Sequence, residues 1–169
     1  MDDCPFCKTI PLLAKALPVW CIGFPVQTNP RYLRYNTVAV EELTADYLRT
    51  SDRFTPRARM ELNLALAGQL IAHEKAWAEF IDSPEPYGAF YEHAEAATNS
   101  NLPAFIENLD IPRDWDVILL SSTEYLLNKR AARILKQSAV QFHVKLLEYM
   151  NAFKVLKVVP IKNAPLGAS

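Results

Sequence analysis

Glycine is scarce in this chain, with four among 169 residues. No glycine-rich loop is therefore available to cradle a phosphate group at a helix N-terminus. Cysteine is as thin: Cys4, Cys7 and Cys21 make no even disulfide set, and reduced thiols are the expectation. Cys4 and Cys7 have the spacing of half a zinc knuckle or of a redox pair. Zinc needs four ligands, however, and Cys21 adds only one further thiol. A thioredoxin-type pair also needs a preceding strand, for which the chain start leaves no room. Neither a zinc site at Cys4 and Cys7 nor a redox centre is expected.

Charge of one sign is missing too. Eighteen Lys and Arg stand against nineteen Asp and Glu, with no long block of either, so nonspecific binding of nucleic acid or an acidic membrane surface is excluded as an expectation. The longest apolar stretches, residues 10–17 and 19–26, are broken by Lys15, Pro18 and Pro25, which predicts no membrane span. The start Met-Asp-Asp has no basic n-region. A soluble, non-exported protein, cytoplasmic or part of an intracellular assembly, is the expectation.

What is present is apolar and ordered. Half the residues are hydrophobic, enough for one domain with a real core. Val19 to Phe24 reads as a first buried strand, and after a short Val38-Ala39-Val40 segment residues 41–50 read as a helix. Thr55 as N-cap with Pro56 behind it starts the strongest helix, predicted to run to about Ile81. Its Leu66, Leu70, His73, Trp77 and Phe80 fall on one stripe, which should face the core. Tyr87 to Tyr91, Val117 to Leu120, Tyr125 to Leu127 and Val155 to Ile161 read as further strands. Helices are predicted at 102–109, 128–138 and 143–153. Strands separated by helices indicate α/β, and the fully apolar Val117 to Leu120 points to a mostly parallel central sheet flanked by helices.

Several of these segments carry a spaced pattern. Ile71-Ala72-His73 with Trp77, then Glu92, then Trp115-Asp116-Val117-Ile118-Leu119-Leu120, then Tyr125-Leu126-Leu127 recur in a familiar order. The pattern resembles glycosyltransferase family 25, which includes lipooligosaccharide transferases and collagen galactosyltransferases. The resemblance covers roughly residues 19 to 160. It implies a compact glycosyltransferase A-type domain, like other nucleotide-diphospho-sugar transferases, at residues 19–162, with an N-terminal extension at 1–18 and a tail at 163–169.

By the same resemblance, Arg31, Arg34 and His73 would bind the donor. Glu92 and His93 stand where the family carries an acidic metal-binding cluster, and Glu92, His143 and Asp116 are the candidate catalytic residues. The family's carboxylate-rich motif reads Tyr91-Glu92-His93-Ala94 here, and its second aspartate is replaced near His143. Two expectations stay open. One is a degenerate member with a structural or interaction role in a larger assembly, its contact surface marked by Phe6, Trp20 or Tyr87. The other is an active small transferase with a remodelled Glu/His metal site, using Mn2+ and a UDP-sugar, with a glycan or hydroxylated side chain as acceptor. Structural readings compete at each residue. His73 on an apolar stripe reads as a core histidine, Asp116 as a locally paired acid, and Arg31 and Arg34 as solvated arginines.

Overall fold

The computed structural model describes residues 17–24, 34–137 and 141–167. Six strands form one open mixed sheet: β1 (Pro18–Ile22), β2 (Arg34–Val38), β3 (Tyr87–Tyr91), β4 (Val117–Leu119), β5 (Tyr125–Asn128) and β6 (Val158–Pro160), in spatial order β2-β1-β3-β5-β4-β6. β1 pairs parallel with β2 and β3, and β4 parallel with β6, while β5 pairs antiparallel with both β3 and β4. Five strands therefore share one direction, and β5 alone is reversed.

Alternate residues of each strand face opposite sides, and the two sides build two cores. Trp20, Ile22, Phe90, Val117, Tyr125 and Leu127 face one core. Val19, Cys21, Ala89, Tyr91, Ile118 and Leu126 face the other. The first core is covered by α3 (Leu64–Asp82), α6 (Lys129–Gln137) and α7 (Leu146–Asn151), the second by α4 (Ala94–Thr98) and α5 (Leu102–Glu107). With both faces covered, β1 and β4 can be apolar throughout, which is what their sequences show.

Two short helices, α1 (Ala45–Thr50) and α2 (Pro56–Glu61), precede α3. Polar caps set where the helices start: Thr44 accepts from Tyr47 N–H at 3.0 Å, Thr55 from Ala58 N–H at 3.1 Å, and Asn128 from Ala131 N–H at 2.7 Å. The single helix expected over 55–81 is two helices. Leu62 and Asn63 are extended, and the Asn63 side chain accepts from Leu66 N–H at 2.8 Å, starting α3 afresh. Leu62 is buried at this break and Leu66 is half exposed, so the stripe begins at Leu70 rather than Leu66. The other expected elements sit within a few residues of their predicted bounds, and β2 and the five-residue α4 are additional.

α3 packs close to the chain leading into α1. A Cβ on Gly68 would lie 2.6 Å from the Glu41 carbonyl oxygen, so only glycine fits there. Trp20, expected on a contact surface, is 2% exposed and stacks on Phe90 at 5.3 Å, while Tyr87 stacks on Trp115 at 5.3 Å. Phe6 lies outside the described residues. At the C-terminal end, Ala164 and Leu166 pack against the second core, and Asn99 donates to the Gly167 carbonyl at 2.6 Å. The segment expected as a tail is held to the domain through Ala164, Leu166 and Gly167. No helix among the described residues is long and apolar enough to cross a membrane.

Candidate functional site

β3 ends at Tyr91, so Glu92 is the first residue beyond the C-terminal end of a central strand. It lines a cavity of about 330 Å³. The remaining wall comes from Leu66, Gln69 and Leu70 of α3, from Ser122 and Thr123 in the β4–β5 turn, and from Val144 to Leu147 at the start of α7. Clefts at this end of an open α/β sheet are where such folds bind ligands.

A buried chain of hydrogen bonds holds Glu92. Trp77 Nε1 donates to the Tyr125 hydroxyl at 2.8 Å, His73 Nδ1 lies 2.6 Å from that hydroxyl, and His73 Nε2 lies 2.8 Å from Glu92 Oε2. The donor inventory fixes the direction. The Glu92 carboxylate can only accept, which assigns the proton of a neutral His73 to Nε2 and leaves Nδ1 as an acceptor; the Tyr125 hydroxyl therefore gives its proton to Nδ1 while its oxygen accepts from the indole N–H of Trp77. Burial, reinforced by the charges of Glu92 and Glu124 and opposed by the Trp77 bond, pushes the Tyr125 phenol well above its ordinary 10.0. It keeps its proton, as this direction requires.

A second network fixes the backbone at the same place. Glu124, 3% exposed, accepts through Oε2 from the Glu92 and His93 N–H groups at 2.9 and 3.0 Å and pairs with His93 Nδ1 at 2.8 Å. Through Oε1 it accepts from the Ser121 and Thr123 hydroxyls at 2.6 and 2.7 Å. Burial pushes the Glu124 carboxyl up, but the bonds from Ser121, Thr123 and His93 outweigh it and hold the group below its ordinary value. For His93, burial lowers the imidazole and the Glu124 bond and charge more than reverse that, so it is raised.

Of the predicted site residues the structure brings His73 and Glu92 into contact and disperses the others. His73 is fully buried, so it touches no donor directly and acts on the cavity only through Glu92. Glu92 and His93, expected to share a cation, engage different partners, because consecutive residues leaving a strand point to opposite sides. His143 lies 4.0 Å from Glu148. Asp116 precedes β4 and so sits at the opposite end of the sheet from Glu92, where it accepts from Arg130 at 2.6 Å, Asn128 at 3.1 Å and Lys157 N–H at 2.9 Å. Arg34 enters β2 by its backbone; its side chain, with Arg31, Cys4 and Cys7, lies outside the described residues. Among the described residues no three of His, Cys, Asp and Glu come together to hold a metal ion.

No protein-family model matches the chain, and no curated protein matches it either.

Two residues of the site have roles that the sequence reading above does not assign. Tyr125 stands in an apolar strand and in the family-like pattern, with nothing to mark its hydroxyl as a link to His73. Glu124 lies in the connection between β4 and β5, and the hydroxyl-rich run Ser121-Ser122-Thr123 immediately before it is the signal that could find it, being the composition that satisfies a buried carboxylate.

Proposed function

We propose that this chain is a glycosyltransferase family 25-like domain of the compact A-type that has lost metal-dependent transfer and serves as a binding or structural module in a larger assembly. The observation that carries the reading is how the carboxylates near the cavity are used. A divalent cation bridging a diphosphate needs several oxygen ligands converging on one point. Glu124 accepts five hydrogen bonds from its own chain, and Glu92 gives one oxygen to His73. The residues present do not fit the cation, and no step of chemistry is routed through one.

Five co-directional strands and a cavity at their C-terminal ends support the A-type ancestry. The alternative, an active small transferase, is favoured by one observation: Glu92 still reaches that cavity. Isothermal titration with UDP-sugars, with and without Mn2+, separates the two, with the Glu92→Ala/His93→Ala double variant as control. The module reading expects no Mn2+-dependent binding at millimolar sugar nucleotide. Metal-dependent binding that the double variant loses would overturn it.

A further inference from the structure

The cavity beside Glu92 has a chemistry of its own, independent of any transferase ancestry. Leu66, Leu70, Val144, Leu146 and Leu147 form its aliphatic walls. Gln69, Ser122, Thr123 and Lys145 are the polar residues beside Glu92. The one carboxylate in that lining is Glu92, whose side chain is 17% exposed. His73 takes Oε2, leaving Oε1 without a protein partner among the described residues and able to face a ligand. Behind it the chain His73, Tyr125 and Trp77 is buried and directional, so the carboxylate is held in place before anything binds.

We propose that this cavity binds a small aliphatic ammonium ion, with Glu92 as counter-charge and the leucine walls covering the hydrocarbon. Three arguments favour this occupant. The volume, about 330 Å³, lies at the small end of the range for small-molecule sites, roughly 300–1,000 Å³. The Thr123 hydroxyl is spent on Glu124 and the Gln69 amide N–H on the Ile22 carbonyl, so a polyhydroxylated ligand would bury several hydroxyls against the leucine walls with few partners, which is costly. A fixed, partly buried carboxylate makes a stronger charge-assisted bond to N–H⁺ than to a neutral hydroxyl. Lys145 also borders the cavity, but it is exposed and no ion pair joins it to Glu92 among the described residues. An exposed lysine keeps its ammonium in water, so its charge is not spent on the carboxylate.

The test is calorimetric titration of the full chain with n-hexylammonium chloride, n-hexanol and sodium hexanoate. The expected order is ammonium first, about tenfold or more over hexanol, with hexanoate not binding. Glu92→Gln, which keeps an acceptor for His73, should erase the preference of ammonium over hexanol. Leu66→Trp alters an exposed helix position at the cavity wall and should weaken ammonium binding without touching the carboxylate. Equal binding of ammonium and hexanol, tighter binding of hexanoate, no binding of any probe at millimolar concentration, or indifference to Leu66→Trp would each overturn the proposal. None of these results depends on UDP-sugar or Mn2+, so this proposal and the module reading fail separately.

Discussion

Replacing Tyr125 with Phe removes one oxygen and leaves the ring, stacked on Phe90 at 5.2 Å and His73 at 5.6 Å, in place. The oxygen serves two fully buried partners, accepting from Trp77 Nε1 and donating to His73 Nδ1. Neither finds a substitute. If His73 moves its proton to Nδ1, that N–H has no acceptor and Nε2 loses its bond to Glu92, so the tautomer offers no escape. A buried polar group left without a partner costs about 1–3 kcal/mol, which for two groups is about 2–6 kcal/mol. In a chain of this size each kcal/mol shifts Tm by about 2–4 °C. Thermal and urea unfolding followed by circular dichroism should therefore show a fall of at least about 4 °C with an unchanged urea m-value. A loss below about 1 kcal/mol would refute the reasoning, because the hydroxyl would then not be the link that satisfies Trp77 and His73.

The pH dependence of stability should separate Glu124 from its surroundings. Its folded pKa lies below the ordinary 4.5, so its stabilisation is present above that value and is lost as pH falls through the folded value. Urea midpoints taken from pH 7 down to pH 3 should show wild type ahead of Glu124→Gln at neutral pH and the lead shrinking in the acid range; a constant lead contradicts the ionised carboxylate. His93, raised above 6.5, works in the other sense, its contribution complete below 6.5 and lost as pH rises through its folded value, and it is small because the ring is 60% exposed. Gly68→Ala tests the packing of α3: helix propensity alone favours alanine by about 1 kcal/mol, but the 2.6 Å approach to the Glu41 carbonyl predicts a net loss of about 1–3 kcal/mol. An equal or higher Tm for this variant would place α3 farther from that carbonyl.

The strands were legible where burial on both faces leaves a continuous apolar run. Tyr87 to Tyr91 has the predicted bounds, and Val117 to Leu120 loses only its last residue. Helix starts announced by a cap were legible as well, at Thr55 with Pro56. The break at Asn63 was not, because an asparagine within a helical pattern signals a cap only when the preceding residue leaves the helix, and that is decided by the burial of Leu62 against the rest of the fold. The reversed strand β5 was hidden for a similar reason. Tyr125-Leu126-Leu127 is apolar in either direction, and only the short connection Ser121 to Glu124, bridged by hydrogen bonds from Leu120 and Ser121 N–H to the Glu124 carbonyl, turns it antiparallel.

That reversal is what makes the site. Antiparallel pairing sets Phe90 opposite Tyr125, and both then face the side covered by α3, where His73 and Trp77 stand one turn apart on the same stripe. A slip of one residue in this register would send the Tyr125 hydroxyl to the other core and leave His73 and Trp77 facing Leu126 or Glu124 instead. The family resemblance singles out Glu92 by its place along the chain, directly after the Tyr87–Tyr91 strand. Its orientation is not legible there, since it depends on a tyrosine from a strand whose register no local pattern records. The same holds for the residues expected to meet Glu92. His93 leaves the strand on the opposite side and finds Glu124, and His143 finds Glu148 on the helix that follows it. A sequence aligned residue by residue assigns positions along the chain; convergence is decided by strand pairing, and here pairing gathers one carboxylate, one imidazole, one phenol and one indole rather than a cluster of acids.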